Sequence, residues 1–393
     1  MRTFPAVLVT GARQTGKTTL LTTEFGESHH YVSLERPDVR ARALSDPIGF
    51  LEDTGPPLIL DEIQHAPELL SYVKDLIDED RSPGRWLLTG SQTFSLMQGV
   101  SQTLAGRVAV LQLDPFSVSE ATGGDAAGDM DAVIRRAFGG RARAGAPTEV
   151  DFPDWLLRGG YPEPRTDAAV DRKLWFSSYV HTYLERDVRS LVQVADLGAF
   201  QRFLYLVGSR TGTILNLSEL GREVGIAVPT AKRWLSVLEA SQVVFLLRPY
   251  HRNFGKRIRK SPKLYLLDPG LATFLLGLHS EDSVLQGPSL GALTETAVVG
   301  EWVKAFRQRG EPATLYYWQS ASGAEVDLVV EREGALYGLE AKATATPNPR
   351  HADGLARWLE LAGTDTRGAL ACRVGRPLAL RRGIRAVPWH LAW

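Results

Sequence analysis

From residue 5 to about residue 120 the chain alternates short apolar runs with polar or helix-periodic stretches. Ala6-Val7-Leu8-Val9, Leu58-Ile59-Leu60, Trp86-Leu87-Leu88 and Val108-Ala109-Val110-Leu111 are apolar without alternation, the pattern of parallel strands covered on both faces. Between the second and third runs, Glu68 to Asp78 carries apolar residues at helical spacing. The order predicts strand, helix, strand, and hence an α/β domain. Residues 121–149 are rich in Gly and Ala, with little periodicity beyond the short DAVIRRAF stretch, which predicts a mobile insertion. From Trp155 to about Val194 the pattern turns helical and aromatic, with Trp175, Phe176, Tyr179 and Tyr183, and predicts a helical lid. Residues 200–247 read as short helices around a compact turn, and 289–393 as one helix with several strands. No internal repeat is visible.

The first strand runs into Gly11-Ala12-Arg13-Gln14-Thr15-Gly16-Lys17-Thr18, a full match to G-x-x-x-x-G-K-[ST] placed after a strand and at a helix start. Glycines let backbone N–H groups approach phosphates, Lys17 sets a point charge on the β and γ oxygens, and the Thr18 hydroxyl is a magnesium ligand. Arg13, Gln14, Thr15 and Thr19 complete the expected nucleotide contacts. The second strand ends in Asp61-Glu62. Asp61 is expected to hold magnesium and Glu62 to polarise the attacking water, since phosphoryl transfer needs positioning and charge more than covalent chemistry.

Leu217 to Val224 reads as a short helix capped by Ser218, Gly225 as the turn, Pro229 to Glu239 as a second helix and Val243 to Leu247 as a strand. That order is the order of a winged helix, whose second helix commonly enters a major groove. Residues 248–263 then hold seven Lys or Arg and no acid, in the place of the wing. Lys232 and Arg233 on the second helix, with Arg252, Lys256, Arg257, Arg259 and Lys260 in the wing, are the candidate DNA contacts, with a subunit-docking face as the alternative. Near the end, Asp327 in one strand and Glu340 and Lys342 in the next fit the D…E-x-K pattern of restriction-type nucleases, two carboxylates for Mg²⁺ and a lysine for water or charge. Glu295 on a helix is a further metal ligand of that possible second site.

Composition narrows the class. Hydrophobic residues at 44% and charged residues at 23% are those of a globular chain, and 393 residues imply two or three domains. Lys plus Arg equals Asp plus Glu at 45 each, so any nucleic-acid surface is a local patch. The single cysteine, Cys372, excludes an intrachain disulfide and points to a reducing cytoplasm. No apolar run reaches the ~18–20 residues of a membrane helix. The basic and apolar start is read as the first strand rather than a signal peptide.

Together GARQTGKTTLL, LILDEIQHAPELL, LLTGSQ, SLMQGVSQTLAGRV, LRGGYPEP, YLERDV, KSPKLYLLDPGL and the late EVD and EAK pairs resemble a widespread prokaryotic ATPase family. That family joins an AAA-type domain, a winged helix and a C-terminal domain of unknown function related to restriction-type nucleases. The resemblance implies a fold in four parts: an AAA-type P-loop core over 1–120, a flexible insertion and helical lid over 121–195, a winged-helix domain over 196–285 and a restriction-endonuclease-like α/β domain over 286–393. It implies ATP and Mg²⁺ as cofactors, DNA as partner and a homo-oligomer, a hexamer or similar ring or spiral. Ser91, chosen over Thr89, is the implied polar sensor between the carboxylates and the γ-phosphate. Arg107 is either an arginine finger reaching a neighbouring subunit or a surface ion pair, and the Gly160 to Pro162 stretch is the lid segment against the base. Arg158 before that stretch is either a second sensor or an ordinary lid arginine. Relatives usually carry a helical segment ahead of the first strand, whereas this chain starts five residues before it, so the expectation is either a start codon called too late or a nucleotide pocket without part of its usual wall. The expected activity is ATP hydrolysis coupled to DNA. An ATP-gated, Mg-dependent DNA nuclease and a nucleotide-occupancy signalling or defence switch binding protein are the alternatives.

Overall fold

The structure, a computed structural model, describes residues 3–91, 99–100, 102–124, 128–139, 150–184, 196–251, 261–320, 323–363 and 366–391. The chain divides into two compact units, Met1–Asp114 with Ala240–Gln242, and Pro115–Glu239 with Val243–Trp393.

In the first unit the apolar runs form β1 (Ala6–Gly11), β3 (Leu58–Asp61), β4 (Trp86–Ser91) and β5 (Val108–Gln112), joined by β2 (His30–Ser33) in the order β2-β3-β4-β1-β5. All the pairings are parallel. Successive residues of β1 face opposite ways, so Ala6 and Leu8 enter one core with Leu58, Leu60, Trp86 and Leu88, while Val7 and Val9 enter another with Ile59 and Leu87. The helix Leu69–Glu79 covers the first face through Leu69, Leu70, Val73 and Ile77, and Leu21 of the helix Lys17–Phe25 covers the second. Helices on both faces explain why β1, β3 and β4 read as continuous apolar runs, whereas β5 is an edge strand whose Val110 and Leu111 are exposed rather than covered. A mixed α/β fold with a parallel sheet is therefore what the sequence pattern led one to expect.

The second unit opens with helices. Where a mobile insertion was expected, Met130–Phe138 is a helix with Met130, Val133, Ile134, Ala137 and Phe138 buried. Phe138 packs on Trp302 and Tyr337, so this segment belongs to the core; its apolar spacing was hidden among flanking Gly and Ala. Phe152–Arg158, Pro162–Thr166 and Arg172–Tyr179 are the helices of the aromatic stretch, with Tyr161 and Tyr179 sharing a hydroxyl hydrogen bond of 2.9 Å.

Next come the helix Leu197–Ser209, β6 (Thr213–Ile214), the helices Leu217–Val224 and Val228–Ala240, then β7 (Val244–Pro249) and β8 (Lys263–Leu266), which pairs antiparallel with both β7 and β6. The cap of Leu217–Val224 is Asn216 and not Ser218: its side chain accepts from the Glu219 N–H at 3.1 Å. Gly225, at φ 82°, makes the turn, as its sequence position indicated.

The remaining strands are β9 (Leu315–Gln319), β10 (Glu325–Arg332), β11 (Ala335–Ala341), β12 (Thr366–Cys372), β13 (Leu378–Arg381) and β14 (Ile384–Pro388). A nine-stranded sheet, β13-β14-β12-β11-β10-β9-β7-β8-β6, runs through both halves of this unit, joined where Arg248 and Pro249 pair with Tyr316 and Tyr317. The long helix Leu290–Arg307 is buried along most of its length, whereas Asp353–Ala362 lies across the sheet through Leu355 and Trp358. Among the described residues no helix is long and apolar enough to cross a membrane.

Gly338 lets Trp358 reach the sheet, since a Cβ there would sit 2.5 Å from the indole ring. We expect Gly338→Ala to destabilise the second unit by about 1–3 kcal/mol, the usual cost of overpacking. Denaturant unfolding followed by tryptophan fluorescence checks this, and an unchanged midpoint would show that Trp358 can yield.

Candidate functional site

The end of β1 delivers the chain into a loop whose last residue, Gly16, takes the left-handed conformation at φ 85°, ψ 20° and starts the helix Lys17–Phe25. Thr15 ties the loop by donating its hydroxyl to the Ala12 carbonyl at 2.9 Å. Lys17, 6% exposed, lays its ammonium on the same loop, donating to the carbonyls of Ala12 at 2.7 Å and Gly11 at 3.3 Å. Arg13 is half-buried, and Gln14 and Thr19 are exposed.

Opposite the loop stands Asp61, last residue of β3 and 4% exposed. Three hydroxyls donate to its carboxylate: Thr18 to Oδ1 at 2.8 Å, Thr89 to Oδ1 at 2.5 Å and Tyr31 to Oδ2 at 2.9 Å. Burial, and then the hydrogen bond to Asp61, push the Tyr31 phenol up to about 12. The next residue, Glu62, is left-handed at φ 60°, ψ 48° without being glycine, a conformation that persists only where the surroundings impose it. Its N–H donates to Thr89 Oγ1 at 2.9 Å, and Gln64 donates to its carboxylate. Thr89 thus joins both acidic positions. Ser91, the sensor chosen from sequence, pairs with Gly11 in the sheet, and its side chain lies outside the described residues.

Arg107 makes a two-pronged ion pair with Asp78 in the same unit, Nε to Oδ1 at 2.7 Å and Nη2 to Oδ2 at 2.9 Å. That hydrogen bonding holds the Asp78 carboxyl well below its ordinary range. In the second unit Gly160 donates its N–H to Asp268 Oδ2 at 2.6 Å, while its carbonyl accepts from the Phe116 N–H at 2.7 Å. Asp268 also caps the helix Pro269–Leu275, so the LRGGYPEP and LLDPGL segments are packed on each other. Pro162 begins the helix after Tyr161, and Arg158 donates to Asp154 at 3.0 Å. Lys232 and Arg233 are exposed on the helix Val228–Ala240. Arg252, Lys256, Arg257, Arg259 and Lys260 lie outside the described residues.

The late carboxylates are brought together, with partners that spacing did not reveal. Oxygens of Glu295, Glu325 and Asp327 lie within 4.8 Å of one another. Lys263 donates to Glu295 Oε1 at 2.8 Å and forms an ion pair with Glu325, and Tyr265 donates its hydroxyl to the same Glu295 oxygen. Asp327 accepts the Ala341 N–H at 2.8 Å, and Lys342 donates to Glu340 Oε1 at 2.6 Å. Burial, with Asp327 nearby, pushes Glu295 up to about 8 and Glu340 up to about 7. Burial pulls the Lys263 ammonium down, but Glu295 and Asp327 outweigh it and its pKa ends above the ordinary value. Lys263, Tyr265 and Glu325 were missed as members of this cluster, although the first two sit in the KSPKLYLLDPGL marker and the third in EVD.

Residues 3–122 match the AAA domain family AAA_14, 149–282 a domain of unknown function (DUF8612) and 290–392 a domain of unknown function (DUF4143). The chain is 33% identical over 346 residues to the uncharacterized proteins Rv2008c of Mycobacterium tuberculosis and Mb2031c of Mycobacterium bovis, covering 88% of this chain and 71% of each relative. The solved structure of a single-substitution variant of Thermotoga maritima RuvB aligns over 62% of this chain and 82% of its own at 17% identity, and its TM-score of 0.28 is too low to carry an argument.

Thr89 gives the most direct test of this geometry. Thr89→Val keeps the shape but leaves the Glu62 N–H without its acceptor and takes one of three hydroxyl donors from Asp61, at a cost of about 1–3 kcal/mol. Expressed in the placing of Glu62, that lowers kcat for ATP roughly ten- to hundredfold while ATP affinity changes little. A kcat equal to wild type would remove Thr89 from the site.

Proposed function

The chain belongs to the family of the mycobacterial proteins Rv2008c and Mb2031c and carries an AAA domain over residues 3–122, and from that premise we propose that it is a P-loop ATPase acting on DNA. The observation that carries the reading is the Thr18–Asp61 contact of 2.8 Å beside the loop that holds Lys17. A hydroxyl and a carboxylate at that separation are the donor set a phosphate-bound magnesium uses, so these residues fit the group. When bound, the ion neutralises charge that develops on the phosphates.

The chain's own residues take up the other tasks. Lys17 leaves the loop carbonyls and presents its ammonium to the phosphates, with Gly11, Arg13, Gln14, Thr15, Gly16 and Thr19 around them. Thr18 and Asp61 hold the cation. Glu62, set by its left-handed backbone and by the Thr89 hydroxyl, orients the attacking water. Thr89 takes the sensor role because it touches both acidic positions, and Ser91 beyond it lines the same strand end. In this reading Gly160 and Pro162 contribute to the lid. Arg107, to serve as a finger to a neighbouring copy in a ring or spiral, first has to leave Asp78.

DNA is the proposed partner because the helix, strand, helix, helix, strand, strand order of residues 197–266 supports a winged-helix reading, and the third helix of that order exposes Lys232 and Arg233. The basic run of 248–263 follows in sequence. Contacts of this kind bind phosphates and release counterions.

The test is steady-state ATP turnover with and without duplex DNA over a salt series. We expect DNA to raise turnover, with an effect that fades as salt rises, and Lys232→Ala with Arg233→Ala to reduce the slope of log affinity on log salt by about 2. Glu62→Gln is expected to bind ATP and to turn it over at least 100-fold more slowly. Absence of DNA binding at low salt would end the DNA part of the proposal, and a Glu62→Gln enzyme of normal rate would end the catalytic part.

A further inference from the structure

Four carboxylates converge in the second unit, and the resemblance to nucleases leads one to expect a divalent cation among them. The donor set as it stands does not fit one. Lys263, on the first position of β8, comes from outside the C-terminal strands and puts its ammonium 2.8 Å from Glu295 Oε1 and in an ion pair with Glu325. Its side chain is 5% exposed, so no water shell shares the charge. Tyr265, two residues along the same strand, donates to the Glu295 oxygen that Lys263 also binds. Magnesium demands near-octahedral oxygen ligands at about 2.0–2.1 Å. The Glu295 and Glu325 oxygens already turned toward an ammonium and a phenol cannot meet that demand without expelling the lysine, and one oxygen each of Asp327 and Glu340 is taken by the Ala341 N–H and the Lys342 ammonium.

Carboxylates whose oxygens come within 4.8 Å of one another, with side chains 14% and 32% exposed at Glu295 and Glu325, need a cation or a shared proton between them, and the Lys263 ammonium lies against two of them. We infer that Lys263 is the resident cation of this pocket: it fastens β8, and so the strand that follows the basic segment, to the helix Leu290–Arg307 and to β10, in the place where a nuclease would hold a metal. The pocket is then a joint between the winged-helix strands and the C-terminal sheet, not a phosphodiester-cleaving centre. Glu340 Oε2 and Glu325 Oε1 are the buried oxygens of this cluster that speak for a metal instead, because neither has a hydrogen-bond partner among the described residues and Lys263 meets Glu325 Oε1 only as an ion pair. The experiment is therefore built around Mn²⁺.

Mn²⁺ is titrated into the nucleotide-free full chain and followed by the loss of the free-ion EPR signal. We expect Asp327→Asn to leave the uptake of the wild-type chain unchanged. Lys263→Met is expected to gain one Mn²⁺, lost again when Asp327→Asn is added. Without Mn²⁺ its Tm should fall by about 10 °C, the scale for breaking a buried ion pair in a chain of this size. Should Lys263→Met fail to fold, Lys263→Met with Glu295→Gln removes one charge of each sign and is expected to fold. Wild-type uptake of one Mn²⁺ that Asp327→Asn abolishes would overturn the inference, as would a Lys263→Met chain with unchanged Tm and no new Mn²⁺. None of these readouts involves ATP or DNA, so they fail or succeed independently of the proposed activity.

Discussion

One carboxylate organises the nucleotide end of the first unit. Asp61 draws hydroxyls from three separate elements: Thr18 from the helix after the loop, Tyr31 from β2 and Thr89 from β4. A carboxylate this buried is costly unless its lone pairs are met, and neutral donors meet them without cancelling its charge. The charge stays available for a cation while its direction is fixed. From the same anchor the chain turns through Glu62 in a left-handed conformation, and Thr89, bonded to both residues, holds the turn. Strain of this sort at a strand end is characteristic of a site that places a reacting group.

The second unit uses buried charge differently. Asp268 is committed to the N–H groups of Gly160 and Leu271, Glu301 to the N–H of Val118, and Lys304 to the carbonyl of Phe116. Burial raises the Asp268 carboxyl and takes Glu301 to about 7, yet each has backbone donors that define one arrangement of the surrounding segments. The Lys263 cluster follows the same logic at larger scale. Charges here fix which segments pack together, so sequence markers that look like site motifs, LRGGYPEP and LLDPGL among them, also record a packing contact.

How much was legible depended on whether the signal was local. The strands β1, β3 and β4 could be read because coverage on both faces makes most positions apolar; β5, at the sheet edge, gave an apolar run although Val110 and Leu111 are exposed, whereas β2 has one buried apolar residue, Val32, and gave no run. The loop and the two acids were legible because phosphate binding imposes consecutive residues. The contacts of Thr89 were not legible because a threonine within Trp86–Ser91 reads as an ordinary strand former; they come from β3, a different element. Asn216 and Ser218 are both good caps, and the helix start decided between them. Lys263 was counted as a wing charge, since nothing within its own segment indicates that Glu295 and Glu325 will close over it. Contacts across elements distant in sequence have no period and no spacing from which to infer them.

In the proposed activity Lys17, Thr18 and Asp61 form one grip on a triphosphate and its cation. Isothermal titration of Mg-ATP into the chain and into its Lys17→Ala variant measures that grip before any turnover. We expect one site per chain in the first case and at least about a tenfold loss of affinity in the second. Equal binding by the two, or none by the unaltered chain, would contradict this reading.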